Sequence, residues 1–308
     1  MEKPKRSYEE NLALVAARIA KKKADAEPVV LPGDLMLVPA QPAAQLPIWG
    51  DAVRGIPNSI LRSALFGVIK RGARKSQFRV KKTSVEGIVI VYTGFQLDQA
   101  DLDVWLQCLH LFRTCGLGTR IQFTARAFLK AIGRGTGNSQ HAWLKDSFTR
   151  LFGSVEIVHG AKSYSGPLLH HCARDDETGH YVMEINPAIT ALFGADGWTG
   201  IELEARQALK KQQLAQWLHA FYSSHARPFP MRVETLHKLC GSETKQMMHF
   251  RADLKEALAK VSAATQWTWL IDSADLLHVE KIPTASQERH LITKHGKDLI
   301  KKLSTKAV

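Results

Sequence analysis

Apolar positions in the middle of the chain change from helical spacing to strand spacing in a fixed order. Leu102, Leu106 and Leu109 recur on one helical face, and two glycines at 116 and 118 end this helix. A short helix, a glycine-rich turn, a longer helix and two β-branched segments come next. The predicted bounds of these elements, in chain order, are 97–115, 124–132, 138–152, 155–159 and 180–185.

The same order recurs nearer the C-terminus. Trp217, Leu218 and Phe221 lie on one face of a helix that an Arg-Pro-Phe-Pro segment ends. A short helix, a turn at Gly241, a longer helix that Ser242 can cap, and two strands follow. Their predicted bounds are 233–239, 243–263, 267–271 and 277–282.

These two series predict the fold class. A short helix, a turn, a longer helix and a strand pair form the order of a winged helix-turn-helix. Upstream of them, residues 60–69 are predicted as a helix, and 78–82 with 88–92 as a hairpin. We therefore expect an α+β protein with tandem winged helix-turn-helix domains. The predicted divisions are a disordered N-terminal tail with linker, a first and a second winged-helix domain, and a basic C-terminal tail: 1–57, 58–196, 197–285 and 286–308.

The first 57 residues differ from the rest in composition. Six prolines between 24 and 57, with many alanines, predict an extended linker. Within it, Gln45-Leu46-Pro47-Ile48-Trp49 is an apolar cluster that ends in an aromatic residue. One interpretation is a partner-binding peptide, because apolar anchors in flexible segments dock into grooves. The other interpretation is that Ile48 and Trp49 pack on the first domain.

The charge of the chain indicates the kind of partner. Lysine and arginine number 42 against 29 acidic residues, so the formal net charge is +13. Eight basic residues and no acidic residue lie between Arg62 and Lys82. Such a run is either a solvated face or a surface that follows a phosphate backbone. The second interpretation predicts phosphate contacts from Arg71, Arg74, Lys75 and Lys81.

The longer helix of each series is the predicted recognition helix. Basic and amide side chains on such a helix suit contacts with base edges and phosphates. In the first series we expect an outward face that includes Trp143 and Arg150. The predicted DNA contacts there are Asn138, Ser139, Gln140, Lys145 and Arg150, with Lys162 in the wing connection. In the second series they are Lys245, Met248, His249, Arg251 and Lys255.

Motifs for catalysis and metal binding are incomplete. The segment Gly133-Arg-Gly-Thr-Gly137 lacks the lysine of a phosphate loop, so we interpret it as the turn between two helices. His170 and His171 are adjacent, and an extended chain would point them to opposite sides, which disfavours a metal site. No two of the 13 histidines are two residues apart, as a tyrosine nickase with a histidine-bound metal would need. We expect no cofactor, no metal and no enzymatic activity.

Three further features bear on the compartment. The four cysteines have irregular spacing, and no disulfides are predicted. No apolar run reaches the roughly 18 residues of a membrane span. The N-terminus begins with charged residues and has no signal-peptide core. The sequence predicts a cytoplasmic protein.

Long stretches of the chain resemble the TrfA-type family of plasmid replication initiators from IncP broad-host-range plasmids. The segments that carry the resemblance are Tyr8-Glu-Glu-Asn-Leu-Ala-Leu-Val15, Leu109-His-Leu-Phe-Arg-Thr-Cys-Gly-Leu-Gly-Thr119 and Gln212-Gln-Leu-Ala-Gln-Trp-Leu-His-Ala-Phe-Tyr222. The peptide at 45–49 is similar to the sliding-clamp-binding peptide Gln-Leu-x-Leu-Phe. It departs from that pattern at Ile48 and Trp49.

The resemblance implies a function for the predicted DNA binding. It implies an initiator that binds direct repeats in double-stranded origin DNA and promotes opening of an A·T-rich region, with single-stranded A·T-rich DNA as a further ligand. The implied protein partners are the host replicative helicase, the host chromosomal initiator and the host sliding clamp. A monomer–dimer equilibrium would control copy number. The alternative is a winged-helix transcriptional repressor, which shares the DNA reader and needs no clamp peptide.

Overall fold

The computed structural model describes residues 43–70, 72, 74–175, 177–195 and 197–293. Within this part, the chain from Ala43 onward forms one compact unit of mixed α and β structure. The predicted tail before residue 43, the end of the chain after 293, Arg71 and the side chain of Lys162 lie outside the described residues.

Short strands and helices alternate along the described chain. The strands are β1 (Val53–Pro57), β2 (Phe66–Gly67), β3 (Ser76–Lys82), β4 (Ile88–Phe95), β5 (Leu97–Asp98), β6 (Ile121–Thr124), β7 (Ser154–His159), β8 (Lys162–Pro167), β9 (His171–Arg174), β10 (His180–Glu184), β11 (Trp198–Glu202), β12 (Met231–Arg232), β13 (Thr268–Ile271) and β14 (Leu276–Glu280). The helices are α1 (Asn58–Leu61), α2 (Gln99–Phe112), α3 (Ala125–Ala131), α4 (Asn138–Leu151), α5 (Thr190–Ala195), α6 (Leu203–Ala208), α7 (Gln213–Ser223), α8 (Val233–Leu239) and α9 (Met247–Thr265).

Two series of elements share one order and one sheet arrangement. In the first unit, α2, β6, α3 and α4 precede the hairpin β9–β10, and the sheet order is β6–β10–β9. In the second unit, α7, β12, α8 and α9 precede the hairpin β13–β14, and the sheet order is β12–β14–β13. All neighbouring strands in both sheets are antiparallel. The hairpin β7–β8 is inserted in the first unit alone, and it completes a separate sheet, β3–β4–β7–β8.

Each unit is built around its own hydrophobic core. The first core contains Trp105 and Phe112 from α2 and Phe148 from α4, and the inner face of the β3–β4–β7–β8 sheet packs on it. The second core contains Trp217 from α7 and Phe250 from α9. In both units the first helix and the longer helix therefore contribute aromatic side chains to one core, and this shared core positions the outer face of the longer helix.

Local hydrogen bonds explain why the helices begin where they do. At the start of α2, the Asp98 carboxylate accepts bonds from the Ala100 and Asp101 amides at 2.9 and 3.0 Å. The Asp98 amide in turn donates to the Asp101 carboxylate at 3.2 Å, which completes a capping box. The structure confirms four predicted helices and one predicted hairpin. The helices were predicted over 97–115, 124–132, 138–152 and 233–239, and the hairpin pairs 78–82 with 88–92.

The predicted helix over 60–69 is wrong. The structure has a single helical turn, α1, followed by the short strand β2. The Ser63 hydroxyl donates to the Ile60 carbonyl at 2.8 Å and accepts from the Leu65 amide at 3.3 Å. These bonds satisfy backbone groups that a continued helix would have paired. All of residues 60–69 except Arg62 and Val68 are buried, so the segment shows no helical period of exposed positions.

The predicted pairing of the first wing is also wrong. The segment 155–159 lies in β7, which pairs with β4 and β8. The partner of β10 in the hairpin is β9, and β10 also pairs with β6. Alternation in a strand determines which face is buried, and it does not determine which strand is the neighbour.

Helix α9 begins four residues later than predicted. Ser242 does not cap it, since the Ser242 hydroxyl accepts from the Thr244 amide at 3.3 Å within the preceding turn. The Glu243 carboxylate accepts from Lys75 at 2.6 Å and from Gln96 at 3.3 Å. These contacts hold the residues before Met247 in an extended turn outside the helix.

The expected boundaries of the first domain need correction at both ends. Residues 43–57 are packed, because β1 pairs with β11 and Leu46 and Trp49 belong to the first core. The predicted boundary at 196 would cut through the β1–β11 sheet. Ile201 belongs to the first core and Leu209 to the second, and Ala220 of α7 belongs to the first core again.

Candidate nucleic-acid interface

The outer face of α4 presents polar side chains. Asn138, Ser139 and Lys145 are exposed, while Leu144 and Phe148 of the same helix are buried. Three further members of the exposed face, Ala142, Asp146 and Thr149, were missing from the predicted DNA contacts. Helical spacing alone identifies them, because they lie between the positions that were selected.

An arginine in the turn before α4 supports this face. The Arg134 guanidinium lies over the Trp143 ring at 3.3 Å from its centroid, and it donates to the Gln140 side chain at 3.0 Å. Trp143, which the sequence places outward, is thus covered by a cation from its own chain. Burial lowers the pKa of Arg134, and the Asp103 carboxylate opposes that shift. Sequence reasoning missed Arg134 because it treated the 133–137 segment as a turn only.

The predicted outward position of Arg150 is wrong. Its guanidinium donates to both carboxylate oxygens of Asp101 on α2, at distances between 2.7 and 3.1 Å. Ser147 also donates to Asp101 at 2.7 Å, and the Asp101 side chain is fully buried. Arg150 therefore anchors α4 to α2, and it does not belong to the exposed face.

The exposed face of α9 matches its predicted composition. Lys245, which precedes the helix, is exposed together with Met248, His249 and Lys255. Met248 is 70% exposed although it is apolar. Phe250 and Leu254 point into the second core. The predicted outward placement of these four side chains is confirmed, and their contacts with DNA stay predictions.

Arg251 links α9 to the tip of the β13–β14 hairpin. It donates to the Asp275 carboxylate at 3.0 and 2.8 Å, and this pairing lowers the pKa of Asp275. Asp272, at the other end of the tip, accepts from the Ala274 and Leu276 amides at 2.9 Å each. The hairpin is thus held in a fixed position beside the helix, and the Arg251 guanidinium is partly engaged by its own chain.

The basic segment before and within β3 is less uniform than its sequence indicates. Arg74 forms an ion pair with Asp98, and its side chain is 21% exposed. Lys75 is exposed and pairs with Glu243 at 2.6 Å. Lys81 is exposed on β3. Of the described residues predicted as phosphate contacts here, Lys75 and Lys81 are accessible, whereas Arg74 is mainly structural.

The predicted partner-binding peptide at 45–49 is divided between the core and the surface. Leu46 and Trp49 are 2% and 5% exposed, whereas Ile48 is 80% exposed. The Trp49 indole N–H donates to Nδ1 of His110 at 3.1 Å. Burial lowers the pKa of His110 to about 4, so its ring stays neutral and can accept this bond at neutral pH. The interpretation that Trp49 packs on the first domain agrees with this geometry.

The described residues contain no cluster of three or more histidine, cysteine or acidic side chains placed to hold a metal ion. In the same part of the chain, no helix is long and apolar enough to cross a membrane.

These observations define a basic mixed α/β protein with two similar helix–strand–helix–helix–hairpin units, each of which presents a polar helix face. The chain belongs to the TrfA protein family, whose model matches residues 42–281. A relative from Escherichia coli, the plasmid replication initiator protein TrfA, is 29% identical over 252 residues. That alignment covers 76% of this chain and 63% of the relative, so the chain spans less than two thirds of the relative's length.

Two solved structures are similar over much of the chain. Domains 2–3 of RctB match with 14% identity and a TM-score of 0.47, over 75% of this chain and 98% of that one. The Pi initiator protein in complex with iteron DNA matches with 13% identity and a TM-score of 0.45, over 66% of this chain and 100% of that one.

The Asp101–Arg150 pair gives a test of the corrected assignment of α4. Arg150→Ala leaves a buried carboxylate without its partner, and we expect a loss of about 3–5 kcal/mol in the free energy of unfolding. Lys145→Ala removes the same charge from the exposed face of the same helix, and we expect a change within about 0.5 kcal/mol. Denaturant unfolding followed by circular dichroism measures both. Equal stabilities of the two variants would contradict the anchoring role of Arg150.

Proposed function

We propose that this protein is a non-enzymatic plasmid replication initiator that binds origin DNA through tandem winged helix-turn-helix domains. The observation that supports this most is the shared architecture of the two units. Each has the same element order and sheet order, and each presents the outer face of its longer helix to solvent. In helix-turn-helix proteins, the second helix of the pair enters the major groove and reads base edges.

The two units suit a duplex with a repeated site. Two recognition helices on one face of DNA contact successive major grooves, which are about 34 Å apart. In the second unit, Lys245 and His249 reach guanine acceptors or phosphates, while Met248 contacts thymine methyl groups. Lys75 and Lys81 supply contacts with the phosphate backbone, which raise the affinity for every sequence. The second recognition helix then provides most of the sequence choice.

Binding of several copies to adjacent direct repeats would act on the origin mechanically. Bending a site by 40–90° costs on the order of 1–6 kcal/mol, which protein contacts must offset. Part of that strain falls on a neighbouring A·T-rich region and promotes its opening. In this proposal the opened single strand is a further ligand. The host chromosomal initiator and the replicative helicase act at the same place, and no nucleotide hydrolysis by this chain is required.

The proposal includes recruitment of the host sliding clamp through residues 45–49. Support comes from the similarity of this peptide to clamp-binding peptides and from the exposure of Ile48. The geometry adds a condition, because Leu46 and Trp49 are buried in the first core. Engagement of the whole peptide requires both side chains to leave that core and the Trp49–His110 bond to break.

The proposal also includes control of copy number by self-association. Monomers bind the origin repeats, and dimers withdraw protein from that pool. Family membership supports this part of the proposal.

A winged-helix transcriptional repressor is the second candidate function. It would use the same two recognition helices and the same basic surface. It would neither open an A·T-rich region nor bind a sliding clamp. Permanganate footprinting of supercoiled origin DNA separates the two, since an initiator makes thymines in that region reactive and a repressor does not.

The two kinds of DNA contact have different expected signatures. Lys245→Ala or His249→Ala should weaken binding to the origin repeat by roughly 1–3 kcal/mol and reduce the preference over scrambled DNA. Lys81→Ala should weaken binding to both duplexes equally. It should also reduce the slope of log affinity against log salt concentration by about one, which corresponds to one released counterion. Fluorescence anisotropy over a salt series measures both effects. Identical behaviour of the two classes of variant would show that the recognition helix is misassigned.

The clamp proposal is tested at its one exposed apolar side chain. Ile48→Ala should weaken binding to a bacterial sliding clamp by roughly tenfold or more, since an apolar side chain of this size contributes about 1.5–3 kcal/mol when buried. DNA binding and the melting temperature should not change. Trp49→Ala is unsuitable because it also opens a cavity in the core. Surface plasmon resonance with full-length protein measures the effect, and an unchanged clamp affinity would leave the peptide as a packing element only.

A further inference from the structure

A buried arginine connects the two units. Arg206 on α6 is 3% exposed, and its guanidinium donates to Asp103 at 2.7 Å. It also donates to the side chain and the carbonyl of Gln99, at 3.0 and 2.9 Å, and to the carbonyl of Gln216 at 2.9 Å. Gln216 completes the set by donating to Asp103 at 3.2 Å. We call these four residues the Arg206 cluster.

The position of the Arg206 cluster in the fold is informative. Gln99 and Asp103 lie on α2, the first helix of the first unit, and Gln216 lies on α7, the first helix of the second unit. One guanidinium therefore joins corresponding helices of the two units. Because a guanidinium is planar and its donors have fixed directions, it fixes angles between its partners as well as distances.

Contacts around the cluster extend the connection. Gln213 on α7 accepts from the Ile69 amide at 3.0 Å and donates to Asp98 at 3.2 Å. Arg62 donates to the Ser224 hydroxyl at 3.1 Å, at the end of α7. Polar side chains thus connect the units, and apolar side chains lie in the same contact: Ala220 of α7 belongs to the first core, and Val68 and Val85 pack against the second.

Both recognition helices are tied to this contact. The Asp101–Arg150 pair attaches α4 to α2, close to the cluster on the same helix. On the other side, α9 packs against α7 through Phe250 and Leu254 in the second core. The orientation of α2 relative to α7 therefore determines the orientation of α4 relative to α9.

We propose that Arg206 is a positioning residue that makes the spacing of two half-sites part of what the protein recognises. This inference rests on the proposed function, and it concerns duplex DNA with two contacted major grooves. An apolar contact of similar volume would serve stability as well as a buried ion pair does. A polar fork that binds both helices instead fixes one relative orientation. Each inserted base pair moves the second half-site by about 3.4 Å and turns it by about 35°, which a rigid pair of recognition helices cannot follow.

The test varies DNA spacing and the arginine together. The DNA is the origin repeat that the wild-type protein binds. Footprinting locates the two contacted major grooves, and one, two or five base pairs are inserted between them. Three variants of the full chain are compared with the wild type. Arg206→Met and Arg206→Lys change the cluster, and Arg120→Met is the control that removes one arginine charge elsewhere. Arg120 is 71% exposed at its side chain and pairs with Glu184 outside the cluster.

The expected result is a change in the spacing profile. For the wild type and Arg120→Met, one inserted base pair should lower affinity by roughly 100-fold, since one set of specific contacts is lost. For Arg206→Met the same insertion should cost less than about tenfold, with lower affinity for the native spacing. Arg206→Lys should lie between them, because it keeps the charge and loses the fork. An unchanged profile in Arg206→Met would overturn the inference.

Two controls keep the outcomes distinct. If Arg206 contributes only to stability, Arg206→Met lowers the folded fraction and reduces the affinity for every spacing by the same factor. Thermal unfolding followed by circular dichroism detects the lower folded fraction. If Arg206→Met does not fold, Arg206→Lys is the second variant, because it keeps the charge and loses the fork, and a profile identical to wild type in Arg206→Lys would overturn the inference. A wild type with no preference for repeat DNA over scrambled DNA would instead contradict the proposed function.

Discussion

Three carboxylates at the N-terminal end of α2 hold the parts of this protein in place. Asp98 pairs with Arg74 beside the basic strand β3, Asp101 pairs with Arg150 on α4, and Asp103 pairs with Arg206 at the contact between the units. Acidic side chains are favoured at the start of a helix, where backbone N–H groups are unpaired. Each arginine comes from a different part of the chain, so one helix end orients the basic segment, α4 and the second unit.

This arrangement also separates structural cations from those available to DNA. Arg74, Arg150 and Arg206 are charged residues whose partners are acidic groups of the same chain. The net charge of the chain is +13, and its surface part is therefore carried by other side chains. Lys81, Lys145 and Lys255 are exposed examples. The outer faces of α4 and α9 differ. The outer face of α4 carries Lys145 and Asp146 among small polar groups, whereas that of α9 combines basic and acidic groups with Met248.

Periodicity in the sequence predicted much of the fold, and its failures have physical causes. Amphipathic helices such as α4 and α8 were predictable because one face is apolar and the other polar. The segment at 60–69 was not, since nearly all of its side chains are buried and Ser63 redirects the backbone. The partner of β7 depends on long-range pairing that no local pattern contains. Among site residues, Met248, His249 and Lys255 were placed outward correctly by helical spacing, whereas Arg150 was misplaced because the buried carboxylate of Asp101 on α2 binds it.

In the proposed function, the two joined units form one sequence-specific reader of origin DNA. Fluorescence anisotropy with a duplex of tandem plasmid-origin repeats and with a scrambled duplex, over a salt series, measures this specificity. We expect a preference for the repeats of about 10³-fold or more, with affinity falling steeply as salt increases. Equal affinity for both duplexes at every salt concentration would contradict it, because the positive charge would then explain all of the binding.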